Sequence, residues 1–412
     1  MADKILLIGT GAGGNKSAIE VVEQGIIPKE DLLLVNATKM DIPLEYRDKC
    51  YVLEKVRNTE KGVKVLDIDE DGGFGKERTP AKDSTLYALK EGKLPLKKIV
   101  EEGGYKYVII ITSTEGGSGS GSSVIMARYI HSQCKKELED GTKIPMPVHL
   151  IGFTGFGDDG RGLQNTIEFM QDTVKGLTCH IIKNDTFLVD CNGSKIRAEQ
   201  AANRELCNQI KVMIGSLIRE SAQNIDSRDR YKAVCTSGYQ IVEYKELTSK
   251  IKNKKDFENA LIEMLDDSHN MPTKVGMQRL AVIMNMNENS LLYCDDYSVI
   301  KDRCGSCYEV FTHRQSEKDM PEFIALIIAG RKMPLDEAKD ILDRYNAESA
   351  AVDTDEDDFF SEIQGFRGNA RDTMFDMVED DDSSEEDFFA EFKKVETKKE
   401  EVKKSQETLD EY

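Results

Sequence analysis

The sequence predicts an α/β protein: a parallel-sheet domain joined by a long central helix to a smaller α+β domain, then a disordered acidic tail. Three observations lead there. Apolar runs alternate with amphipathic segments through roughly the first 190 residues. One stretch of about 26 residues then runs without proline. From residue 349 onward the chain loses its core-forming character and gathers acidic blocks.

Taken in order, "KILLIG", "LLLVN" and "YVIIIT" read as buried strands, and "VHLIGFT" and "HIIKNDTFLVD" as two more. Helical stretches such as "KSAIEVVEQG" and "SSVIMARYIHSQCKKEL" fall between them. Continuous apolar strands alternating with amphipathic helices imply a parallel sheet covered on both faces. This pattern defines a first domain at 1–192. The stretch "IRAEQAANRELCNQIKVMIGSLIRES" has one internal glycine and is long enough for a single central helix, within 193–223. A second domain, 224–348, has strand-like runs at "KAVCTSGYQIVEY", "QRLAVIMNMN", "YEVFTHRQ" and "MPEFIALIIAG" and helices at "FENALIEML" and "LDEAKDILDRYN".

The formal charge of −20 is uneven. Asp353 to Glu391 carries a net −14, which leaves an ordinary −6 on the first 352 residues. Low hydrophobicity and acidic blocks predict a disordered tail at 349–412. Direct binding of nucleic acid by that tail is not expected, because both polymers are anionic. Two short pieces within it resemble each other, "DDFFSEI" (357–363) and "EDFFAEF" (386–392). Paired phenylalanines flanked by acids suit docking on an adaptor protein, and two copies would add avidity.

Nine cysteines lie scattered in apolar or helical contexts, as in a reducing cytoplasm. Cys304 and Cys307 form one C-x-x-C without a second pair or a nearby histidine, and a zinc knuckle needs four ligands. No metal site is expected, and the pair reads as two thiols in a turn. No apolar run is long enough for a membrane span, and "MADKILLIG" lacks signal-peptide anatomy, so a cytoplasmic protein is expected.

The glycine-rich segments carry the chemistry. "IGTGAGGNKS" (8–17) meets G-x-G-x-x-G through Gly9, Gly11 and Gly14, after a strand and before a helix. Asn36 stands where a dinucleotide-binding acid is expected, and Asn15 stands where a P-loop lysine belongs. A second segment, "EGGSGSGSS" (115–123), follows the third strand, and a third glycine cluster lies at "EDGGFGKE" (70–77). Loops that feed helices offer unpaired N–H groups and the positive end of a helix dipole. Glycine lets the backbone approach phosphate oxygens without a Cβ in the way. Such loops at the carboxyl edge of one parallel sheet read as a cradle for a di- or triphosphate.

With these segments the chain resembles the tubulin/FtsZ superfamily, whose phosphate signature is usually spelled GGGTGTG or GGGTGSG. Glu115 and Ser118 are departures from that spelling. "GTGAGGN", "VNATKMD" and "GGFG" are similar to the family's first three nucleotide loops, and "FTGFGDDGRG" to its sugar-contacting loop. "IIKND" and "AANREL" resemble the strand end and the central helix that touch the base. "NIDSRD" (224–229) resembles the family's synergy loop, N-x-D-x-x-D.

The resemblance implies that Gly9, Gly11, Gly13, Gly14 and Asn15 line a guanine nucleotide, with Asn36 and Gly73 nearby. It implies that Gly116, Gly117, Ser118, Gly119, Ser120 and Gly121 hold its phosphates. Asp158 or Asp159 and Arg161 would approach the ribose, and Asn184 and Asn203 would read the base. The family's acid in the sugar loop falls here on Gly157, and an aromatic that stacks on the base falls on Glu199. Asn224, Asp226 and Asp229 would complete the site of the next subunit, positioning the attacking water. By themselves, two aspartates three apart also suit a solvated turn capping a helix. GTP or GDP with Mg²⁺ would be the ligand, and the partner a head-to-tail homopolymer.

The family's usual glycine-rich segment after the synergy loop is replaced by "CTSGYQIVEYKEL", and "QETLDEY" is not a usual FtsZ anchor. These departures resemble the TubZ/PhuZ filament proteins of plasmids and phages. The expectation is a GTP-hydrolysing filament that segregates plasmid or phage DNA through an adaptor. An FtsZ-like division filament is the alternative. A reading of another class, an NAD(P)-linked oxidoreductase, rests on "GTGAGG" alone and leaves "NIDSRD" without a role.

Overall fold

A computed structural model describes residues 4–352, apart from 60–61, 67–71, 138–140, 174–175, 222–224 and 274–275. The acidic tail beyond, with its segments 357–363 and 386–392, lies outside the described residues.

The first half contains β1 (Ile5–Thr10), α1 (Gly11–Glu23), β2 (Leu32–Asn36), β3 (Cys50–Val52), β4 (Val56–Thr59) and β5 (Gly62–Val65). It continues with α2 (Arg78–Lys90), α3 (Leu96–Glu102), β6 (Tyr107–Ser113), α4 (Gly117–Gln133), β7 (Lys135–Glu137) and β8 (Lys143–Pro145). Next come β9 (Val148–Thr154), α5 (Gly160–Thr173), β10 (Thr178–Lys183), α6 (Lys195–Ile214) and α7 (Ser227–Val234). The second half holds β11 (Gly238–Glu246), α8 (Lys254–Asp266), β12 (Arg279–Asn285), α9 (Glu288–Leu291) and α10 (Ser298–Cys304). It ends with β13 (Glu309–Gln315), β14 (Phe323–Arg331) and α11 (Leu335–Val352).

Ten strands form one sheet in the order β13-β12-β14-β11-β10-β9-β6-β1-β2-β3. Neighbours are parallel except around β14, which runs antiparallel to both β11 and β12. The sheet therefore passes unbroken from the first half into the second, through parallel pairing of Thr178 with Gly238 and Cys179 with Tyr239. Alternate residues of β1 and β6 feed two cores, as a pleated strand requires. Leu6, Ile8, Val108 and Ile110 join Val124, Met126 and Phe169 on the α4–α5 side. Ile5, Leu7, Ile109 and Ile111 join Ala198, Leu206 and Ile210 on the α6 side.

Several boundaries differ from the sequence reading: α1 already starts at Gly11, Lys232–Val234 close helix α7 and are not strand, and α11 runs to Val352, past the expected start of the tail at 349. The glycine-serine segment is not a loop throughout: it turns helical at Gly117 and forms the first two turns of α4. That helix stops at Gln133, and Lys135–Glu137 pairs with Lys143–Pro145 as a small hairpin. The fifth strand ends at Lys183, and Asn184–Leu188 is a 3-10 turn. The central helix stops at Ile214 because Gly215 adopts φ 72°, a left-handed cap that only glycine takes cheaply.

A buried polar chain crosses α6. His149 Nε2 lies 2.8 Å from His180 Nδ1, and His180 Nε2 lies 3.0 Å from Gln209 Oε1. Gln209 donates in turn to Glu205 (3.1 Å). On β11, buried Glu243 accepts from Ser268 and from Asn270 Nδ2. Burial and the charge of Glu205 push the Glu243 carboxyl well up, and burial raises Glu205 too.

Candidate active site

The parallel strands β1, β2, β6, β9 and β10 end together, at Thr10, Asn36, Ser113, Thr154 and Lys183, along the carboxyl edge of the sheet. Helix α1 starts directly after β1, and α4 starts three residues after β6. Both therefore aim unpaired N–H groups along this edge. The two glycine segments are packed against each other. A Cβ on Gly11, whose φ is +67°, would lie 2.7 Å from Gly119 N, and one on Gly119 would lie 2.6 Å from Thr10 O. Gly9 leaves room for Asn15, Gly14 lies against the backbone of Ile111, Gly13 faces Ser113, and Gly121 lies against Arg78 O. Gly117 has the backbone of Lys76 and Glu77 against it, which brings the third glycine cluster to the same place. Gly73 and Gly116 have open space beside them.

Three asparagines at this edge keep polar atoms buried without a hydrogen-bond partner: Asn15 Oδ1, Asn36 Nδ2 and Asn184 Oδ1. Such atoms are costly unless something bonds them. The small-residue cradle and these asparagine atoms fit an anionic, polar ligand. Ser118 is half-buried at the start of α4, whereas the Ser120 hydroxyl is committed to the Gly116 carbonyl and to Arg78.

Arg78 is the support that sequence reading missed. Its side chain is 2% exposed, and it donates to Ser120 Oγ (3.1 Å), Ser120 O (3.1 Å), Glu168 (3.0 Å) and Asp172 (2.7 Å). One guanidinium thus ties the start of α2 to the glycine helix α4 and to α5. Burial pushes the Asp172 carboxyl up, but Arg78 and Lys82 outweigh it and hold its pKa below the usual range. A signal was present in the sequence: Arg78 shares helical spacing with Ala81, Thr85 and Ala88, all buried. Asn165 adds a second tie, donating to Lys76 O (2.9 Å) and Glu115 O (2.8 Å).

Glu115 reaches into the segment 153–162. Its carboxylate accepts from Gly157 N (3.2 Å) and lies against Gly155 and Gly162. Burial raises its pKa despite those N–H groups. Asp158 is paired with Lys195 (2.6 Å), and Asp159 with Lys76 (2.6 Å) and Gly162 N (2.7 Å). Arg161 reaches Gln164 (3.5 Å). Where α1 meets α6, Ser17 donates to Asn203 Oδ1 (2.7 Å), and Lys16 pairs with Glu199 (2.8 Å). The position expected to hold an aromatic is therefore one end of an ion pair between α1 and α6.

The acidic turn lies elsewhere. Asp226 is exposed and caps α7, its Oδ1 accepting from Asp229 N at 2.7 Å. Asp229 pairs with Lys232 (3.3 Å). Asn224 lies outside the described residues. Tyr231 of the same short helix meets Tyr107 edge-on, with ring centroids 6.2 Å apart. Tyr107 begins β6, whereas the glycine helix follows its end. Six steps of strand separate the two ends, about 20 Å. Helix α7, which Asp226 caps, thus packs at the start of β6, opposite the end that the glycine helix follows.

No family model matches the sequence, and no curated protein matches it. Solved structures do. TubZ of Clostridium botulinum phage c-st superposes with a TM-score of 0.58 at 15% identity, over 85% of this chain and 100% of that one. CetZ2 from Haloferax volcanii, solved as a GTPγS-bound protofilament, gives 0.61 at 14% identity, over 83% and 99%. An empty FtsZ dimer of M. jannaschii gives 0.57 at 16%, over 80% and 89%. The likeness is one of fold.

Proposed function

We propose that this chain, which has the tubulin/FtsZ superfamily fold, is a cytoskeletal GTPase that polymerises head to tail and hydrolyses GTP between subunits. The observation that carries the reading is that α7, which the acidic turn caps, packs at the start of β6 through Tyr231, whereas the glycine helix follows the end of that strand. Within the chain the carboxylates of Asp226 and Asp229 are engaged on α7 itself, with Asp229 N and with Lys232. Stacking one protomer on the next would bring the acidic turn of one to the cradle of the other. The CetZ2 structure, itself a GTPγS-bound protofilament, favours both the ligand and the stacking.

In this reading the N–H groups of Gly11 to Gly14 and Gly117 to Gly121 bind the phosphates. Asn15 Oδ1, Asn36 Nδ2 and Asn184 Oδ1 take the polar edges of the nucleoside, and Asn203 stands beside the base. The Lys195–Asp158 and Lys76–Asp159 pairs hold the sugar loop in place. Mg²⁺ would arrive with the triphosphate, because it keeps most of its water and binds through phosphate oxygens. Asp226 and Asp229 of the adjoining protomer orient water and receive its proton. Assembly then precedes hydrolysis. The finer role, moving plasmid or phage DNA through an adaptor held by 357–363 and 386–392, follows from the resemblance to plasmid and phage filaments.

The test is light scattering and phosphate release after GTP is added to purified protein. Turnover per subunit should rise steeply with protein concentration, together with scattering. Fast hydrolysis by dilute, unassembled chains would overturn the shared site.

A further inference from the structure

The segment between α6 and α7, which leads into the acidic turn, is gripped by two side chains from a strand nearly a hundred residues away. Gln315, at the end of β13, donates from Nε2 to Leu217 O (3.0 Å) and accepts at Oε1 from Arg219 N (2.7 Å). His313, two residues earlier and so on the same face of the strand, lies with Nδ1 3.4 Å from Ile225 N and Nε2 2.8 Å from Gln315 Oε1. Both side chains are buried.

These bonds fix the imidazole. Gln315 Oε1 can only accept, so His313 Nε2 carries the proton and Nδ1 offers the lone pair that receives the Ile225 N–H. Burial keeps the ring neutral by holding its pKa below the usual value. The backbone of β13 is already paired with β12 at both positions, Ile283 with His313 and Asn285 with Gln315. Apolar side chains would fill the same buried face at less cost. Instead the polar atoms serve three backbone groups, at Leu217, Arg219 and Ile225, that belong to no helix or strand. Ile225 immediately precedes Asp226, and its own side chain is buried.

The geometry points to His313 and Gln315 as positioning residues that set where the Asp226–Asp229 turn stands, placing turnover under the control of strand β13. The inference rests on the shared-site reading above. It adds that the catalytic carboxylates are aimed by the second half of the chain, through hydrogen bonds to the backbone on both sides of residues 222–224.

The test uses the full chain and two substitutions of similar polarity. Asparagine puts its carbonyl oxygen near the place of imidazole Nδ1, so H313N keeps an acceptor for Ile225. Glutamine extends toward the place of Nε2, so H313Q keeps the Gln315 side and loses the Ile225 bond. With H313Q, amide exchange at Ile225 should quicken about tenfold and phosphate release at saturating GTP should fall about tenfold. With H313Q, GTP affinity and melting temperature should stay close to those of the parent. H313N should keep the parent's Ile225 amide exchange and phosphate release at a lower melting temperature, because nothing then replaces Nε2–H at Gln315. Equal loss in both variants, or an Ile225 amide indifferent to H313Q, would overturn the assignment. If D226A abolishes turnover while H313Q does not lower it, the positioning role fails and the shared site stands. If D226A hydrolyses GTP normally, both fail.

Discussion

Gly11 and Gly119 stand back to back at the carboxyl edge of the sheet, so close that a Cβ on the first would lie 2.8 Å from the Cα of the second. The two glycine segments, 108 positions apart in the chain, form one wall. Each is glycine partly for the other's sake, and not only for a ligand's.

Gly119→Ala should therefore damage the wall itself. Its new methyl would meet Thr10 O and Thr112 Oγ1, both at 2.6 Å. Overpacking of this kind costs about 1–3 kcal/mol. Chemical denaturation should register that loss, and a nucleotide titration should register GTP binding weakened by about tenfold or more, one factor of ten per 1.4 kcal/mol.

Asp226 has a structural duty as the cap of α7, and this duty can be separated from the proposed catalytic one. Asp226→Asn keeps an oxygen for Asp229 N, whereas Asp226→Ala loses the cap at a cost of about 1 kcal/mol. Both should lower phosphate release about 100-fold or more while sedimentable filaments still form, since only the carboxylate can take the proton from water. Full turnover in the asparagine variant would assign the residue to capping alone.

Arg78→Ala removes the guanidinium shared by α2, α4 and α5. Glu168 and Asp172 are partly exposed, which lowers the cost from the range of fully buried pairs to about 2–3 kcal/mol. Denaturant unfolding should show this, and GTP affinity should fall with it because Ser120 loses its anchor. Arg78→Lys, which cannot reach three partners at once, should recover only part of either loss.

Glu243 gives a pH dependence. Its folded pKa is raised by burial and by Glu205, so the folded chain holds the proton more tightly than the unfolded chain. Its contribution is full below the ordinary carboxylate pKa and is lost as pH rises through the raised value. Glu243→Gln should leave the melting temperature at pH 5 nearly unchanged and raise it at pH 8 by about 2–4 °C, the shift expected per kcal/mol in a chain of this size. A parallel rise at both pH values would remove protonation as the cause.

Much of this was legible in the sequence, for identifiable reasons. Buried parallel strands announce themselves as apolar runs, so β1, β2, β6 and β9 lie where "KILLIG", "LLLVN", "YVIIIT" and "VHLIGFT" place them. Glycine spacing gave the cradle because a backbone that must pass close leaves no other choice of residue. Partnerships over long range were not legible. Nothing local to Asp158 or Glu199 foretells Lys195 or Lys16, and nothing in "YEVFTHRQ" foretells that His313 and Gln315 turn toward residues 217–225. The helical start of α4 was hidden by its own glycines, which lower helix propensity where tertiary packing decides the conformation.

The unbroken sheet has a mechanical corollary. Across the joint between the halves, β10 pairs with β11 only at Thr178 and Cys179, and its second half is bonded instead to residues 269–271, through Met271 N to Ile181 O and Lys183 N to His269 O. A shift of residues 269–271 would therefore be passed straight to the end of β10. Asn184, which follows β10 directly, ties that joint to the carboxyl edge where the glycine segments meet.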